Sequence, residues 1–445
     1  MSDGEDPRAG GASPVATVIA DARLIDPDAG EERAGHVVIR DGRIAAIHGA
    51  GQSVAEIVAG LGEHRLVEAR GRCLAPGIVD IGVKVGEPGE RHKESYGTAG
   101  AAAAAGGVTT IVTRPDTEQC IDTPEALEFI RRRAVTAAPV NVLPMAALTK
   151  GRQGREMTEI GFLMDAGAVA FTDCDAVIAD TRVAARAMTY AAGLGALVMG
   201  HPQDPGLSRG AAATSGKFAS LRGLPSVSPM AERMGLDRDI ALVEMTGVRY
   251  HADQITTARA LPALERAKRN GLRMTAGTSM HHLTLNEMDV ADYRTFFKVK
   301  PPLRSEDDRQ AIIEALRDGL IDVIGSFHTP QDEESKRLPF EEAASGAVGL
   351  ETMLPVLLRL YHAEDLTLPA LFRALSLNPA RLLGLECGRM AEGAPADLVL
   401  FDPEKPLVLD RFKLRSKSKN TPFDGARLQG RVLGTWVGGR RVHEG

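Results

Sequence analysis

Several carboxylate and imidazole side chains come directly after apolar runs in this chain. Asp173 and Asp175 follow GAVAFT, His201 follows ALVMG, and His251 and Asp253 stand two residues apart in YHAD. Carboxylates and imidazoles are zinc ligands and common proton donors and acceptors in catalysis. The pattern is compatible with a metal or acid–base site and also with hydrogen-bonded core residues. For three further histidines we expect structural roles: His281, His282 and His328.

The middle of the chain, residues 73–387, alternates short apolar runs with amphipathic segments typical of helices. DTRVAARAMTYAAGLG and SEDDRQAIIEALRDG begin at Asp or Ser, which are good N-caps, and end at Gly. Eight strand and helix pairs predict an α/β fold, a (β/α)8 TIM-type barrel, whose chemistry lies at the C-terminal ends of the strands. The predicted strands are 74–85, 108–114, 140–148, 168–173, 196–201, 248–255, 273–279 and 321–327.

Both ends of the chain are β-rich. Residues 15–72 and 388–445 contain short β-branched runs separated by turns, and Asp41-Gly42 is a hairpin signal. They predict one small β-sandwich-like domain built from both termini. Residues 1–14 lack periodicity and are predicted to form a flexible tail. The Ser/Gly/Ala-rich stretch 206–229 is predicted to be a long loop, either a lid, a partner-contacting loop or a surface insertion.

The composition excludes several classes of protein. The 445 residues carry a net charge of −6 with no basic block, so phosphate neutralisation on nucleic acid has no footprint. No apolar run is long enough to span a membrane, and no signal-peptide pattern is present. The four cysteines form no CxxC pairs, which indicates reduced thiols. We expect a cytoplasmic globular protein.

The ordered segments carry a resemblance to a known family. Taken together they resemble dihydroorotase of the amidohydrolase superfamily, which interconverts carbamoyl aspartate and dihydroorotate. The resemblance implies a zinc centre at the barrel mouth that supplies hydroxide, an Asp after the eighth strand that relays the proton, and an Arg and two Asn that hold the substrate. The segments include LAPGIVDIGVKVGEPG, GAVAFTDCD, HPQD, YHADQITTA, TSMHHLTL, FFKVKPPLR and GLIDVIGSFHTPQDEESK.

Four of the six metal or catalytic positions of that family are altered here. The His-x-His of the first strand is replaced by Gly82 and Lys84. Gln254 replaces a ligand His after the sixth strand, and Phe327 replaces the catalytic Asp after the eighth. Glycine offers no ligand atom and a protonated lysine repels a dication. We therefore expect no zinc and no other cofactor.

Two ligand-type residues remain. His201 keeps the ligand position after the fifth strand, and Asp173, or less favourably Asp175, stands at the bridging carboxylate of this subtype. Hydantoinase-like relatives have a lysine there that becomes carbamylated, and AVAFTDCD has none. Two ligands are fewer than catalytic zinc sites supply, so the pair is either a hydrogen-bonded relic or a single-metal site. We predict that the Lys84 ammonium lies near Asp173 and replaces the charge of the metal.

The positions that hold the substrate in the family are altered as well. Gly86 replaces the Arg of HLREPG, Asp116 the Asn of MPNT, and Lys300 the Asn of KVNPPLR. Gly86 removes a bidentate partner for a carboxylate, and Asp116 adds a negative charge where an anionic substrate would lie. Seven changes at one site predict a site without catalytic or substrate-binding residues.

The resemblance implies three functions. The first is a catalytically inactive dihydroorotase-like subunit in de novo pyrimidine biosynthesis. Such a subunit supports aspartate transcarbamoylase by complex formation, with that catalytic chain as partner in an oligomer. The second is an active dihydroorotase or related cyclic-amide hydrolase with a rebuilt site, which would need a metal, or Lys84, His201 or His251 as the base. The third is a barrel that senses a pyrimidine precursor without turnover.

Overall fold

The N-terminal part of the chain forms five strands. A computed structural model describes residues 15–445, and the predicted tail at 1–14 lies outside them. Asp41 and Gly42 turn the chain between the second and third strands, both with positive φ, as a tight hairpin requires. The elements are β1 (Ala16–Asp26), β2 (Glu31–Arg40), β3 (Arg43–Gly49), α1 (Val54–Ala59), β4 (His64–Glu68) and β5 (Cys73–Pro76).

The middle of the chain forms a parallel barrel. Two runs of hydrogen-bonded strands, β6-β7-β8 and β9-β12-β13-β14, supply seven of its eight strand positions. Apolar side chains fill the interior, so the barrel is a packed core with open space at its end. The barrel strands are β6 (Ile78–Val83), β7 (Val108–Thr113), β8 (Asn141–Pro144), β9 (Leu197–Gly200), β12 (Arg249–Ala252), β13 (Met274–Ser279) and β14 (Val323–Gly325). Strands β10 (Ala213–Thr214) and β11 (Ser226–Val227) pair with each other in a separate sheet.

Helices connect the barrel strands and cover the outside. The two helices with the clearest start signals begin as predicted, because the Asp180 and Ser305 side chains accept hydrogen bonds from the first turn. They are α2 (Tyr96–Ala105), α3 (Pro124–Ala137), α4 (Ile160–Asp165), α5 (Thr181–Gly193), α6 (Pro205–Ser208), α7 (Lys217–Arg222), α8 (Met230–Thr246), α9 (Leu261–Arg269), α10 (Met280–Thr284), α11 (Glu306–Arg317), α12 (Glu333–Arg337), α13 (Met353–His362), α14 (Leu368–Phe372) and α15 (Asn378–Leu383).

At the fourth strand position of the barrel, a single residue makes the strand pairing. Phe171 makes parallel bridges to Ala146 on one side and to Val198 on the other, where a full strand over 168–173 was predicted. Between β14 and β6 the barrel is closed by a hydrogen bond from the loop after β14 to a side chain of β6. The buried Asp80 carboxylate accepts from the Ser326 N–H at 3.0 Å.

The two ends of the chain share one sheet. Strands β15 (Leu398–Val408), β16 (Arg427–Val437) and β17 (Arg440–Glu444) join the N-terminal strands in the order β17-β16-β15-β5-β1-β2-β3, with β4 beside β1. The predicted barrel with a β-sandwich-like domain from both termini is confirmed. The predicted boundary at 73 is wrong, because β5 pairs with β1 and β15 and the barrel begins at Ile78.

Two segments differ from the sequence prediction in their structure. The stretch 206–229 is not an irregular loop, since it contains α7 and the paired strands β10 and β11. Residues 409–426, which we call the C-terminal segment, leave the terminal sheet between β15 and β16 and pack on the barrel. There Asn420 Nδ2 donates to the carbonyls of Thr329 and Gly346, beside the open end of the barrel.

Among the residues that the model covers, no helix is both long and apolar enough to cross a lipid bilayer.

Candidate active site

The barrel mouth is the cavity at the C-terminal ends of the barrel strands. It encloses about 140 Å³, whereas small-molecule sites commonly enclose about 300–1,000 Å³. The cavity brings together most of the positions predicted from the sequence, together with residues that the prediction did not include. Side chains that line it include Lys84, Arg114, Asp116, Cys174, Asp175, His201, Asp253, Gln254, His281, His282, Lys300 and Phe327.

The ring of Phe327 fills the space beside Gly82. A Cβ placed on Gly82 would lie 3.0 Å from Phe327 Cδ1, and one on Gly325 would lie 2.9 Å from Phe327 Cε2. The ring therefore occupies the volume that a histidine at residue 82 would need. Phe327 adopts a left-handed φ of 47°, a strained conformation for a bulky residue. The altered ligand position and the altered catalytic position are thus packed against each other.

Gly86 leaves no room for the arginine of the family. A Cβ at this position would lie 2.3 Å from the Glu90 carbonyl oxygen, far inside van der Waals contact. The backbone of the loop after β6 therefore occupies the space that the first carbon of an arginine side chain would need. An arginine at residue 86 would therefore require the backbone of this loop to move, because the nearest atoms are backbone atoms of Glu90 and Glu94.

Lys84 forms ion pairs with residues other than the one predicted. Its Nζ lies 3.5 Å from Glu90 Oε2 and 3.5 Å from Asp116 Oδ2. No ion pair within 4.0 Å joins Lys84 to Asp173 in the described part of the chain, so the predicted pairing is wrong. The reason is the direction of the Asp173 side chain, which hydrogen-bonds to the loop after β8.

Asp173 faces the backbone of the preceding loop. Its Oδ1 accepts from the N–H groups of Leu148 at 3.0 Å and Thr149 at 2.9 Å, and its Oδ2 accepts from the Thr149 hydroxyl. Burial raises the pKa of Asp173, and these hydrogen bonds oppose the rise. The carboxylate therefore holds two strand-end loops together and is not aimed into the mouth.

Asp175 faces the mouth in its place. It pairs with Lys300 Nζ at 2.9 Å and with Arg152 at 3.0 Å. Burial alone would raise the pKa of Asp175, but the charges of Lys300 and Arg114 hold it below its usual value. Lys300, at a position altered from the family pattern, is thus engaged with Asp175.

Arg114 is a site residue that the sequence reasoning missed. Its side chain is largely buried and donates to Asp116 Oδ2 at 2.8 Å. Although burial favours the neutral form, the charge of Asp116 raises the pKa of Arg114, so the guanidinium is a buried cation. The available signal was the segment RPDT, in which a new arginine stands two residues before a new aspartate.

The donor set of the mouth does not fit a zinc centre. Burial lowers the pKa of His201 to about 4, so its ring is neutral, and Gln254 is a weak ligand for zinc. Burial raises the pKa of the Cys174 thiol, which disfavours the thiolate that binds metals. Across residues 15–445, no group of three or more His, Cys, Asp or Glu side chains is arranged to hold a metal ion.

The other histidines make structural contacts. His251 Nδ1 hydrogen-bonds Thr275 Oγ1 at 2.8 Å, away from the mouth cavity that Asp253 lines. His281 stacks on Phe423 of the C-terminal segment. The other two are hydrogen-bonded within the barrel end: His282 with Ser279, and His328 with the Gly349 N–H.

Comparison with known proteins places the chain in a family. A family model described as dihydro-orotase-like matches residues 71–260, and an amidohydrolase family model matches residues 342–443. A protein named dihydroorotase from Anaeromyxobacter dehalogenans is 40% identical over 428 residues, covering 96% of this chain and 97% of that protein. The chain belongs to the dihydroorotase family. A dihydroorotase from Syntrophus aciditrophicus is 38% identical, with 95% and 98% covered.

Solved structures of the same fold agree with the family assignment. An L-hydantoinase from Arthrobacter aurescens superposes with a TM-score of 0.86 at 25% identity and 96% coverage of each chain. A D-hydantoinase superposes with a TM-score of 0.83 at 21% identity, which speaks to the fold alone. The fold of these relatives is therefore intact in this chain.

Proposed function

We propose that this chain is a catalytically inactive dihydroorotase-like subunit of de novo pyrimidine biosynthesis that supports aspartate transcarbamoylase by forming a complex with it. The observation that carries the proposal is the packing of Phe327 against Gly82. One of these positions supplies a zinc ligand in the family and the other the catalytic acid. Relatives named dihydroorotase at about 40% identity support the assignment to the pyrimidine pathway.

The remaining groups of the mouth are poor replacements for metal-assisted chemistry. Opening or closing a cyclic amide needs a nucleophile and a proton relay, which a metal-bound hydroxide and a carboxylate supply in the family. The Nζ of Lys84 lies between two carboxylates, and His201 with a pKa of about 4 is a weak base. Gly86 and Lys300 do not supply the guanidinium and the amide that the resemblance implies for holding the substrate. These features support the inactive assignment.

One observation favours the second candidate, an active cyclic-amide hydrolase with a rebuilt site. Asp253 lines the mouth cavity, and desolvation there raises its pKa to about 7. A general base works best when its pKa lies near the operating pH. If turnover exists, we expect it to depend on Asp253, and Asp253→Asn would abolish it.

Two assays test the proposal. The chain is co-expressed with the aspartate transcarbamoylase catalytic chain of the same organism, and the mixture is analysed by size-exclusion chromatography with light scattering. We expect one mixed complex of constant stoichiometry, and higher transcarbamoylase activity or stability than the catalytic chain shows alone. Hydrolysis of dihydroorotate in zinc-supplemented buffer should be absent. Separate elution with no effect on the transcarbamoylase, or zinc-dependent turnover, would contradict the proposal.

A further inference from the structure

Two clusters of ion pairs cross the barrel mouth, and we call them the mouth ion pairs. In the first, Lys84 lies between Glu90 and Asp116 at 3.5 Å from each, and Arg114 lies 2.8 Å from Asp116. The second joins Asp175 to the cations Arg152 at 3.0 Å and Lys300 at 2.9 Å. Lys93 adds a further contact to Glu90 at the edge of the first cluster.

The mouth ion pairs connect loops that leave different strands. Lys84 follows β6, whereas Asp116 follows β7, so the first cluster bridges neighbouring loops. Arg152 lies in the loop after β8, and Asp175 lies in the loop after Phe171, the fourth strand position. Lys300 lies in the long connection after β13. The second cluster therefore reaches across the mouth between loops that are far apart in the sequence. A metal centre would cross-link loops at the same end of a barrel.

Each substituted cation of the mouth meets a carboxylate. Lys84 stands at a family His position and contacts Asp116, which stands at a family Asn position. Lys300, at another family Asn position, contacts Asp175. Loss of a site by unselected substitution gives no reason for each new cation to meet a carboxylate. Pairing is needed because Asp116 is 7% exposed and Lys84 16%, and an unpaired buried charge is strongly destabilising.

We propose that the mouth ion pairs replace the metal centre of the family as the structure that holds the strand-end loops of this barrel together. The mouth then keeps its shape without metal, and the barrel stays folded as a scaffold although it has lost its ligands. This inference concerns the chain alone and does not depend on the partner protein, so it can fail while the proposed complex stands, and the reverse.

A double-mutant cycle tests the first cluster. Lys84→Met, Asp116→Asn and the double variant are compared with the unaltered chain by thermal unfolding in metal-free buffer. We expect the loss of Tm in the double variant to be smaller than the sum of the two single losses by about 2 °C or more, because each single change already removes the contact between Lys84 and Asp116. Losses that add up would overturn the proposal.

A second cycle keeps the test decisive if a variant of the first cluster does not fold. Lys300 and Asp175 are 46% and 38% exposed, so Lys300→Met, Asp175→Asn and their double variant disturb less buried charge. The same non-additivity is expected there, and additivity would overturn the proposal in the same way. The matched control is the exposed i,i+4 pair Glu333–Arg337, for which the losses should add.

Discussion

Gly82 and Phe327 have matching sizes at the residue scale. The ring occupies the space beside the glycine, so a larger side chain at residue 82 must displace it. We expect Gly82→His to lower the free energy of unfolding by about 1–3 kcal/mol through overpacking. Adding Phe327→Ala should recover most of that loss, as measured by urea unfolding.

The control for this pair is a glycine with free space around it. A Cβ on Gly49 would meet nothing within 4 Å, so Gly49→His should change the free energy of unfolding by less than about 0.5 kcal/mol. A Gly82→His variant as stable as the unaltered chain would show that Phe327 moves aside freely and does not block a larger side chain at residue 82.

The raised pKa of Asp253 should make the free energy of unfolding depend on pH. Its carboxyl faces the mouth, with Arg114 and Asp116 as the charged neighbours, and desolvation raises its pKa to about 7. An unfolded Asp has a pKa of about 3.9, so the folded state binds the extra proton between about pH 4 and pH 7. The stabilising effect of that proton is complete below pH 4 and is lost as the pH rises through 7.

Asp253→Asn removes this dependence. At pH 4 the variant and the unaltered chain should be equally stable, since both carry a neutral side chain in the folded state. At pH 8 the variant should be more stable by on the order of 1 kcal/mol, a value discounted for water in the cavity. Urea unfolding at both pH values gives the comparison. An equal difference at pH 4 and pH 8 would show that Asp253 is ionised throughout.

At the scale of elements, the C-terminal segment is anchored to the barrel by Glu94. This buried carboxylate accepts from the Lys417 N–H at 3.1 Å and from the Ser416 hydroxyl. Burial pushes the pKa of Glu94 upwards, yet the interaction with His328 and the hydrogen bond from Ser416 keep it below the usual value. The anchor is therefore a charged acceptor, which makes stronger hydrogen bonds than a neutral one.

Glu94→Ala should release the C-terminal segment. The unpaired donors would cost about 1–3 kcal/mol, which should let the backbone of the segment detach and fit the protease active site. Limited trypsin digestion followed by mass spectrometry should show faster cleavage after Arg415, Lys417 and Lys419. Glu404→Ala, at an exposed position of β15, is the control and should leave the cleavage rate unchanged. Unaltered cleavage in Glu94→Ala would mean that other contacts suffice.

For the molecule as a whole, the mouth predicts independence from zinc. After purification with zinc and removal of excess metal, the chain should contain much less than one zinc per molecule, and a chelator should leave its Tm unchanged. The physical reason is the donor set, in which Gly82, Lys84 and Gln254 replace imidazoles. A dihydroorotase that retains His-x-His serves as the positive control. One or two tightly bound zinc ions would contradict the inactive assignment.

The sequence alone determined the features that depend on local patterns. The order of barrel strands followed from apolar periodicity, and the starts of α5 and α11 from the capping residues Asp180 and Ser305. The family motifs identified the altered positions, because a missing imidazole is visible without coordinates. Pairing of the two chain ends in one sheet was also predictable in outline, although the place of β5 in that sheet was not.

Only the tertiary structure decided which altered residues meet. Side chains two residues apart on a strand share a face, so a regular strand would point Asp173 and Asp175 in the same direction. The left-handed φ of 54° at Cys174 interrupts the strand geometry, and Asp173 turns to Thr149 while Asp175 turns to the mouth. The packing of Phe327 on Gly82 joins residues 245 positions apart. Such contacts depend on how the barrel closes, which no local pattern encodes.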